Sequence, residues 1–348
     1  MSRPRSFHRR AFTQHLLLSA AMVGAPVLRA QPRLEKSRLT VAVGGKASFL
    51  HLPLTIADQL GYFRSEGLSL DIHDVTHPQR ALDLVLEGGA EVCAGRFEHT
   101  LLLQARGMAH QAFVLEARAP QVAFGVSTRS LPAYRSAADL KGKRIGVSEP
   151  GSLAHLLAKL VLARAGLRPE DVALVEVGAG AAVTAIRSGQ IDALAQFEPV
   201  MTTLEQRAEV RIVSDTRTLK GTIEAFGGPM PASCLHAPTE FVQRHPATCQ
   251  ALANGIVHAL KWLQTAGPGD LLKAVPEGYF LSDRALYLAA FNKVREAMSP
   301  DGLMPPEAAR HALRVLASMD AGLRPERIDV ERAYTNEFAR RAKGRFRA

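Results

Sequence analysis

Strand-like and helix-like segments alternate from residue 38 to about residue 236, and this rhythm confines the chain to parallel α/β architecture. Arg38 to Val43 is predicted as a strand, Leu52 to Leu60 as a helix with Pro53 in its first turn, and Leu68 to Val75 as a strand. Helix Ala81–Leu86, strand Ala90–Ala94, helix Arg96–Ala105 and strands Gln111–Glu116 and Val122–Ser127 follow. The rhythm restarts at Asp139-Leu140-Lys141-Gly142, with strands expected at Arg144–Val147, Val172–Val177, Ile191–Ala195 and Val210–Val213. Past Gly227-Gly228-Pro229 one more strand, Ala232–His236, precedes helices at 239–244, 247–265, 283–298 and 306–319. The second half echoes the first. GGAEVCAGRFEH (88–99) and SGQIDALAQFEP (188–199) both run from helix end through a Gly turn and a strand to an aromatic-Glu pair. Two similar α/β lobes joined by a double crossover, with a helical C-terminal tail, are the expected architecture. The expected boundaries are 33–125 with 233–348 for lobe one and 126–232 for lobe two.

Leu140 to Ala163 (LKGKRIGVSEPGSLAHLLAKLVLA) reads as strand, small-residue loop and helix capped by Ser152. A helix N-terminus leaves backbone N–H groups free and carries the positive end of the dipole. Beside a Gly-Ser loop it suits a carboxylate, sulfonate or phosphate. The same pattern also describes an ordinary βα turn, and local sequence does not separate the two.

Charge argues against a nucleic-acid partner. The formal charge is +10, but five of the 43 basic side chains (Arg3, Arg5, Arg9, Arg10, Arg29) lie in the first thirty residues, which hold no acid. The remainder, 38 basic against 33 acidic groups, is only +5, and part of that is the C-terminal cluster Arg340, Arg341, Lys343, Arg345 and Arg347. With aromatics at 6%, rows of base-stacking platforms are also absent.

Residues 1–30 read as an export signal: a basic start, an apolar run from Leu16 to Leu28, and Ala30 at the cut before Gln31-Pro32. Arg9, Arg10 and Phe12 resemble a twin-arginine motif, although Thr13 and Gln14 depart from its ending. Either export route would deliver the protein to the periplasm. No later stretch reaches the roughly 18 uninterrupted apolar residues of a membrane span.

Catalytic and cofactor signatures do not emerge. Gly146-Val147-Ser148 lacks the second Gly of a nucleophile elbow, Ser152 and His155 have no acid placed to orient the imidazole, and no P-loop or dinucleotide fingerprint is present. His73 and His77 read as surface residues rather than metal ligands. Cys93, Cys234 and Cys249 have no metal spacing; Cys93 is expected as a buried thiol, and whether Cys234 and Cys249 pair in an oxidising compartment is left open by the sequence. The expected protein has no catalytic residues, no metal and no cofactor.

Four motifs in order resemble a known family. Leu52-Pro53-Leu54 with Ile56-Ala57, then Gly61-Tyr62-Phe63 with Glu66-Gly67-Leu68, is similar to the start of periplasmic solute-binding proteins of the thiamine-pyrimidine, sulfonate and nitrate type. Asp139 to Val147 resembles that family's second-lobe opening, and Ser188 to Ala193 with Phe197-Glu198-Pro199 its acidic-Pro motif. The resemblance spans residues 38 to about 265. It implies a type II binding-protein fold and a monomeric receptor that hands a small solute to the membrane permease of an ABC importer, whose ATPase is another chain. The pyrimidine-synthesising enzymes of thiamine biosynthesis also resemble this family, so an enzyme on the same fold is the alternative.

Ligands of open α/β sheets lie beyond the carboxyl ends of the strands. The candidate site residues are therefore Gly45, Lys46, Phe49 and His51 after the first strand, and Arg96, Phe97 and Glu98 after the third. Ser148, Gly151, Ser152 and His155 follow the first strand of lobe two, Phe197 and Glu198 its third, and Gly228 and Met230 lie near the return crossover. Lys46, Arg96, His155 and the capped helix favour an organic anion such as a sulfonate or carboxylate. Glu98 and Glu198 would suit a donor-rich heterocycle such as a pyrimidine.

Overall fold

The first sheet takes one of its interior strands from late in the chain. In the computed structural model, which describes residues 33–75, 77–280, 283–320 and 322–348, β1 (Arg38–Gly44), β2 (Ser69–Val75), β3 (Val92–Arg96) and β4 (His110–Leu115) are joined by β10 (Ser233–Pro238). The order is β2-β1-β3-β10-β4, with β1 parallel to β2 and β3, and β10 antiparallel to both β3 and β4. The second sheet repeats this plan with β5 (Val122–Ser127), β6 (Arg144–Val147), β7 (Ala173–Glu176), β8 (Ala193–Phe197) and β9 (Val210–Asp215), in the order β7-β6-β8-β5-β9. Here β5 is the antiparallel strand, inserted between β8 and β9. The expected segment export signal, residues 1–30, lies outside the described residues. Residues 34–348 cluster as one unit.

Two chain segments cross between the sheets. β5 pairs within the second sheet from Val122 to Ser127, so the first crossing is residues 116–121, earlier than the sequence rhythm placed it. The second is the run from Gly227 to Ser233. The crossings are stitched to each other: Glu116 N–H donates to Ser233 O at 2.8 Å, and Ala232 N–H to Ala117 O at 2.9 Å.

The helical tail is fixed by packing. Helix Pro246–Thr265 buries Leu252, Ile256, Val257, Leu260 and Leu263 against helix Leu52–Gln59 and the first sheet. Each such side chain contributes roughly 1.5–3 kcal/mol on leaving water. Helix Pro306–Met319 places Ala309, Ala312 and Leu313 in an apolar cluster with Leu101 of the first half and Leu153 and Leu157 of the second. The basic C-terminal run forms helix Glu337–Phe346, with Arg345 paired to Glu66 at 2.8 Å and Lys343 to Asp301 at 2.7 Å. Among the described residues four α-helices escaped the sequence reading: Tyr62–Ser65, Leu219–Phe226, Pro268–Ala274 and Glu337–Phe346. Among the described residues no helix is long and apolar enough to cross a membrane.

Candidate functional site

Arg96 closes β3, and helix Glu98–Ala105 starts two residues later with Phe97 at its cap. The sequence rhythm had put Arg96 inside the helix. The ladder hydrogen bonding opposite Ser233 of β10 keeps it in the strand instead, at the carboxyl edge of the sheet. Its guanidinium leaves this edge in three directions. Nε and Nη2 both donate to His99 Nε2, at 3.1 and 2.8 Å. Nη1 lies 3.4 Å from Glu98 Oε1 and donates to the backbone carbonyl of Gly151, which belongs to the other half of the molecule. A second contact, His77 Nδ1 to Glu149 Oε2 at 3.1 Å, joins the same two rims.

The opposite rim is the loop that follows β6. Ser152 caps helix Leu153–Arg164, its hydroxyl accepting the His155 N–H at 3.1 Å and the Ser148 O–H at 2.9 Å while donating to Glu149 O. His155 Nδ1 in turn accepts the Gly151 N–H at 2.8 Å, which requires a neutral ring nitrogen there. Burial and then Lys159 hold the His155 pKa below the usual imidazole value, in keeping with that role. The structure thus brings Arg96, Ser148, Gly151, Ser152 and His155 together, with a cation facing a helix N-terminus.

The other candidates have different surroundings. Lys46 Nζ is paired with Asp58 at 2.8 Å, and its backbone N–H with Asp74. Gly45 turns the chain there in a left-handed conformation, φ 73°, that suits glycine. Phe49 is buried against the rings of Tyr287 and Phe291, and Phe97 is fully buried with its ring edge near Tyr334. His51 is buried with Nδ1 3.3 Å from Glu116 Oε2. Met230 is core, and Gly228 lies where a Cβ would meet the His311 ring at 2.7 Å. Phe197 is half-buried at the end of β8. Glu198 is buried in an ion pair with Arg217 at 2.6 Å and also accepts the Thr202 N–H. An ion-paired, N–H-capped carboxylate has little acceptor capacity left for a heterocycle.

Glu98 is held differently. Burial pushes its carboxyl pKa up, Arg96 opposes this, and Oε2 has no hydrogen-bond partner. Behind Arg96 lies a buried group that sequence reasoning missed: His99, His110 and His236, with Cys93. Strand alternation could have placed Cys93 opposite His236 only once the β3–β10 register was known. The thiols are buried and free, and burial raises Cys93 and Cys249 to about 12. Cys234 and Cys249 sit in separate core clusters, so the disulfide the spacing permitted is not formed. Among the described residues no group of three or more His, Cys, Asp or Glu side chains could hold a metal ion.

The histidine group gives an acid-stability prediction. Burial pushes His110 down to about 4 and His236 to about 3, from an ordinary value of 6.5. These depressed values mean the folded state holds neutral rings. Their contribution is complete above pH 6.5 and is lost as pH falls from 6.5 through 4 towards 3. His110 alone represents on the order of 2–3 kcal/mol by the bottom of its range. Urea midpoints of the parent should fall steeply between pH 6.5 and 4. Those of His236→Leu should fall less. Parallel slopes for the two proteins would count against buried neutral imidazoles.

Two sheets of one plan, joined by paired crossings and opening carboxyl edge to carboxyl edge, define the fold of the periplasmic solute-binding proteins of ABC importers. The chain belongs to the NMT1/THI5-like family, whose model matches residues 48–265. It is 48% identical to a protein of solved structure from Bordetella bronchiseptica RB50, with a TM-score of 0.85 over 91% of this chain and 100% of that one. The alkanesulfonate-binding protein SsuA from Xanthomonas axonopodis pv. citri, solved bound to MOPS, shares the fold at a TM-score of 0.66 and 20% identity, covering 87% of this chain and 100% of that one. A 4-amino-5-hydroxymethyl-2-methylpyrimidine phosphate synthase from Schizosaccharomyces pombe is 26% identical over 64% of this chain and 64% of its own length.

Proposed function

We propose that this protein is an extracytoplasmic receptor that captures a small organic anion, a sulfonate or carboxylate, between its two lobes and delivers it to the membrane permease of an ABC importer. The observation that carries this reading is the Arg96 guanidinium set against the Gly151 carbonyl, at the start of the capped helix in the other lobe. An anion entering there would exchange the carbonyl for a charge-assisted partner and gain the helix N-terminal N–H groups. The fold relative solved with MOPS, whose acidic group is a sulfonate, supports the anion class. The yeast relative favours a second reading, an enzyme or receptor for a pyrimidine-like heterocycle.

Native mass spectrometry of the protein as purified, then calorimetric titration with alkanesulfonates, carboxylates and the hydroxymethylpyrimidine, separates these. Stoichiometric binding of an anion without turnover is expected. Binding of the pyrimidine alone, or its conversion, would replace the anion reading. The two crossings, 116–121 and 227–233, should act as the hinge of a closing motion. Small-angle scattering should show a smaller radius of gyration with saturating ligand, and an unchanged radius would argue for a rigid module.

A further inference from the structure

We propose that His99 is a positioning residue: it aims the Arg96 guanidinium at the cleft without cancelling its charge. The proposal rests on the anion reading above. Arginine carries its charge on a long stem with many rotamers, and the fixed donor fork is useful only when the stem is held. Arg96 is the last residue of β3, so the strand fixes its backbone but not its head group. His99, in the first turn of the next helix, supplies the missing constraint. Its single Nε2 accepts from both Nε, at 3.1 Å, and Nη2, at 2.8 Å. Two N–H donors on one ring nitrogen require a lone pair there, which places the ring proton on Nδ1.

A carboxylate in this position would hold the arginine equally well but would neutralise it. His99 is 2% exposed, and burial, then Arg96, then His236 and His110 hold its pKa well below the ordinary imidazole value. The acceptor therefore stays uncharged and adds no second negative charge beside the guanidinium, which already has Glu98 Oε1 3.4 Å from Nη1. The backbone is shaped to admit the ring. A Cβ on Gly95 would lie 2.8 Å from Cys93 Sγ, 3.0 Å from His236 Nε2 and 3.4 Å from His99 Nδ1. A ring serving only as core filling would not direct its one acceptor atom at two N–H groups of a cleft-edge arginine. His99 Nδ1 itself has no hydrogen-bond partner, so the ring is not placed there to satisfy both of its nitrogens.

The test compares the parent, Arg96→Ala, His99→Leu and His99→Gln. Gln can present its amide oxygen near the Nε2 position; Leu keeps the volume and removes the acceptor. The first readout needs no ligand: the Arg96 Nε–H resonance in 15N-labelled protein. It should be protected from solvent exchange in the parent and in His99→Gln, and exchange-broadened in His99→Leu. The second is calorimetric titration with butanesulfonate and with butyrate. His99→Leu should weaken anion binding roughly tenfold, as expected when a hydrogen bond to a charged group is lost, and His99→Gln should recover most of it. Thermal unfolding checks that each variant is folded. If Arg96→Ala loses binding while a folded His99→Leu binds like the parent, the positioning role is overturned and the anion reading stands. If Arg96→Ala and His99→Leu both bind like the parent, the anion reading falls and this proposal with it.

Discussion

Arg217→Ala should destabilise the protein by about 3–5 kcal/mol, because it leaves a carboxylate buried without its counter-charge. Arg217 is 3% exposed in its side chain, and its partner Glu198 is 1% exposed. The guanidinium makes four hydrogen bonds to three carboxylates. Nε and Nη2 form a fork on Asp215 at 2.8 and 2.6 Å, while Nη1 reaches Glu198 at 2.6 Å and Glu205 at 3.1 Å. Lys293 of helix Arg284–Val294 also pairs with Glu205, so the network ties the C-terminal helices to the second sheet's half. Burial would lower the Arg217 pKa, and Asp215 and Glu198 together raise it above the ordinary value. A loss of this size is large beside the 5–15 kcal/mol that holds a typical domain together. Glu198→Ala should cost less, since Arg217 keeps Asp215 and Glu205. The double variant Arg217→Met with Glu198→Gln should recover part of the loss, because no unpaired charge is then buried. Urea midpoints for the three variants decide the matter. An Arg217→Ala protein that unfolds at the parent's midpoint would show the pair to be solvated. A Glu198→Ala protein with parental stability and no ligand binding would instead return Glu198 to the site.

The alternation of strands and helices was legible because its signal is local: apolar spacing, turn glycines, and Ser152 ahead of Leu153 and Leu156. The doubled lobe plan was legible from the 88–99 and 188–199 echo. Its strand registers were not, since β5 and β10 each insert between two strands that lie far from them in sequence. For the same reason the first crossing was placed too late. Helix Glu337–Phe346 was hidden because five basic residues in nine masked its buried Phe338, Ala339 and Ala342 face. Local backbone conformations could be read: the turns at Gly45 and Gly151 and the cap at Ser152 follow from turn and cap chemistry. Residues whose role depends on a partner far along the chain could not. Nothing local distinguishes Glu98, facing Arg96, from Glu198, facing Arg217. The two aromatic-Glu pairs look alike in sequence, and only the fold shows Glu98 3.4 Å from Arg96 and Glu198 sealed against Arg217 at 2.6 Å.

Arg96→Ala should weaken binding of the cognate anion by roughly 30-fold or more. Loss of a desolvated, charge-assisted contact typically costs about 2–5 kcal/mol, and each 1.4 kcal/mol is about tenfold. The side chain is 15% exposed, so its field is poorly screened, and the loss should change little between low and moderate salt. Arg96→Lys should fall between parent and Ala. An ammonium keeps the charge but cannot bridge His99 and the cleft with a rigid fork. Ser152→Ala is the counterpart on the other rim. It removes the cap on the His155 N–H, worth about 1 kcal/mol of helix stability, but leaves the backbone donors in place, so binding should weaken less than in Arg96→Ala. Calorimetric titration of all three variants tests the order. Arg96→Ala binding as tightly as the parent would remove the guanidinium from the ligand's surroundings. Ser152→Ala losing as much as Arg96→Ala would move the main anion contact to the helix start.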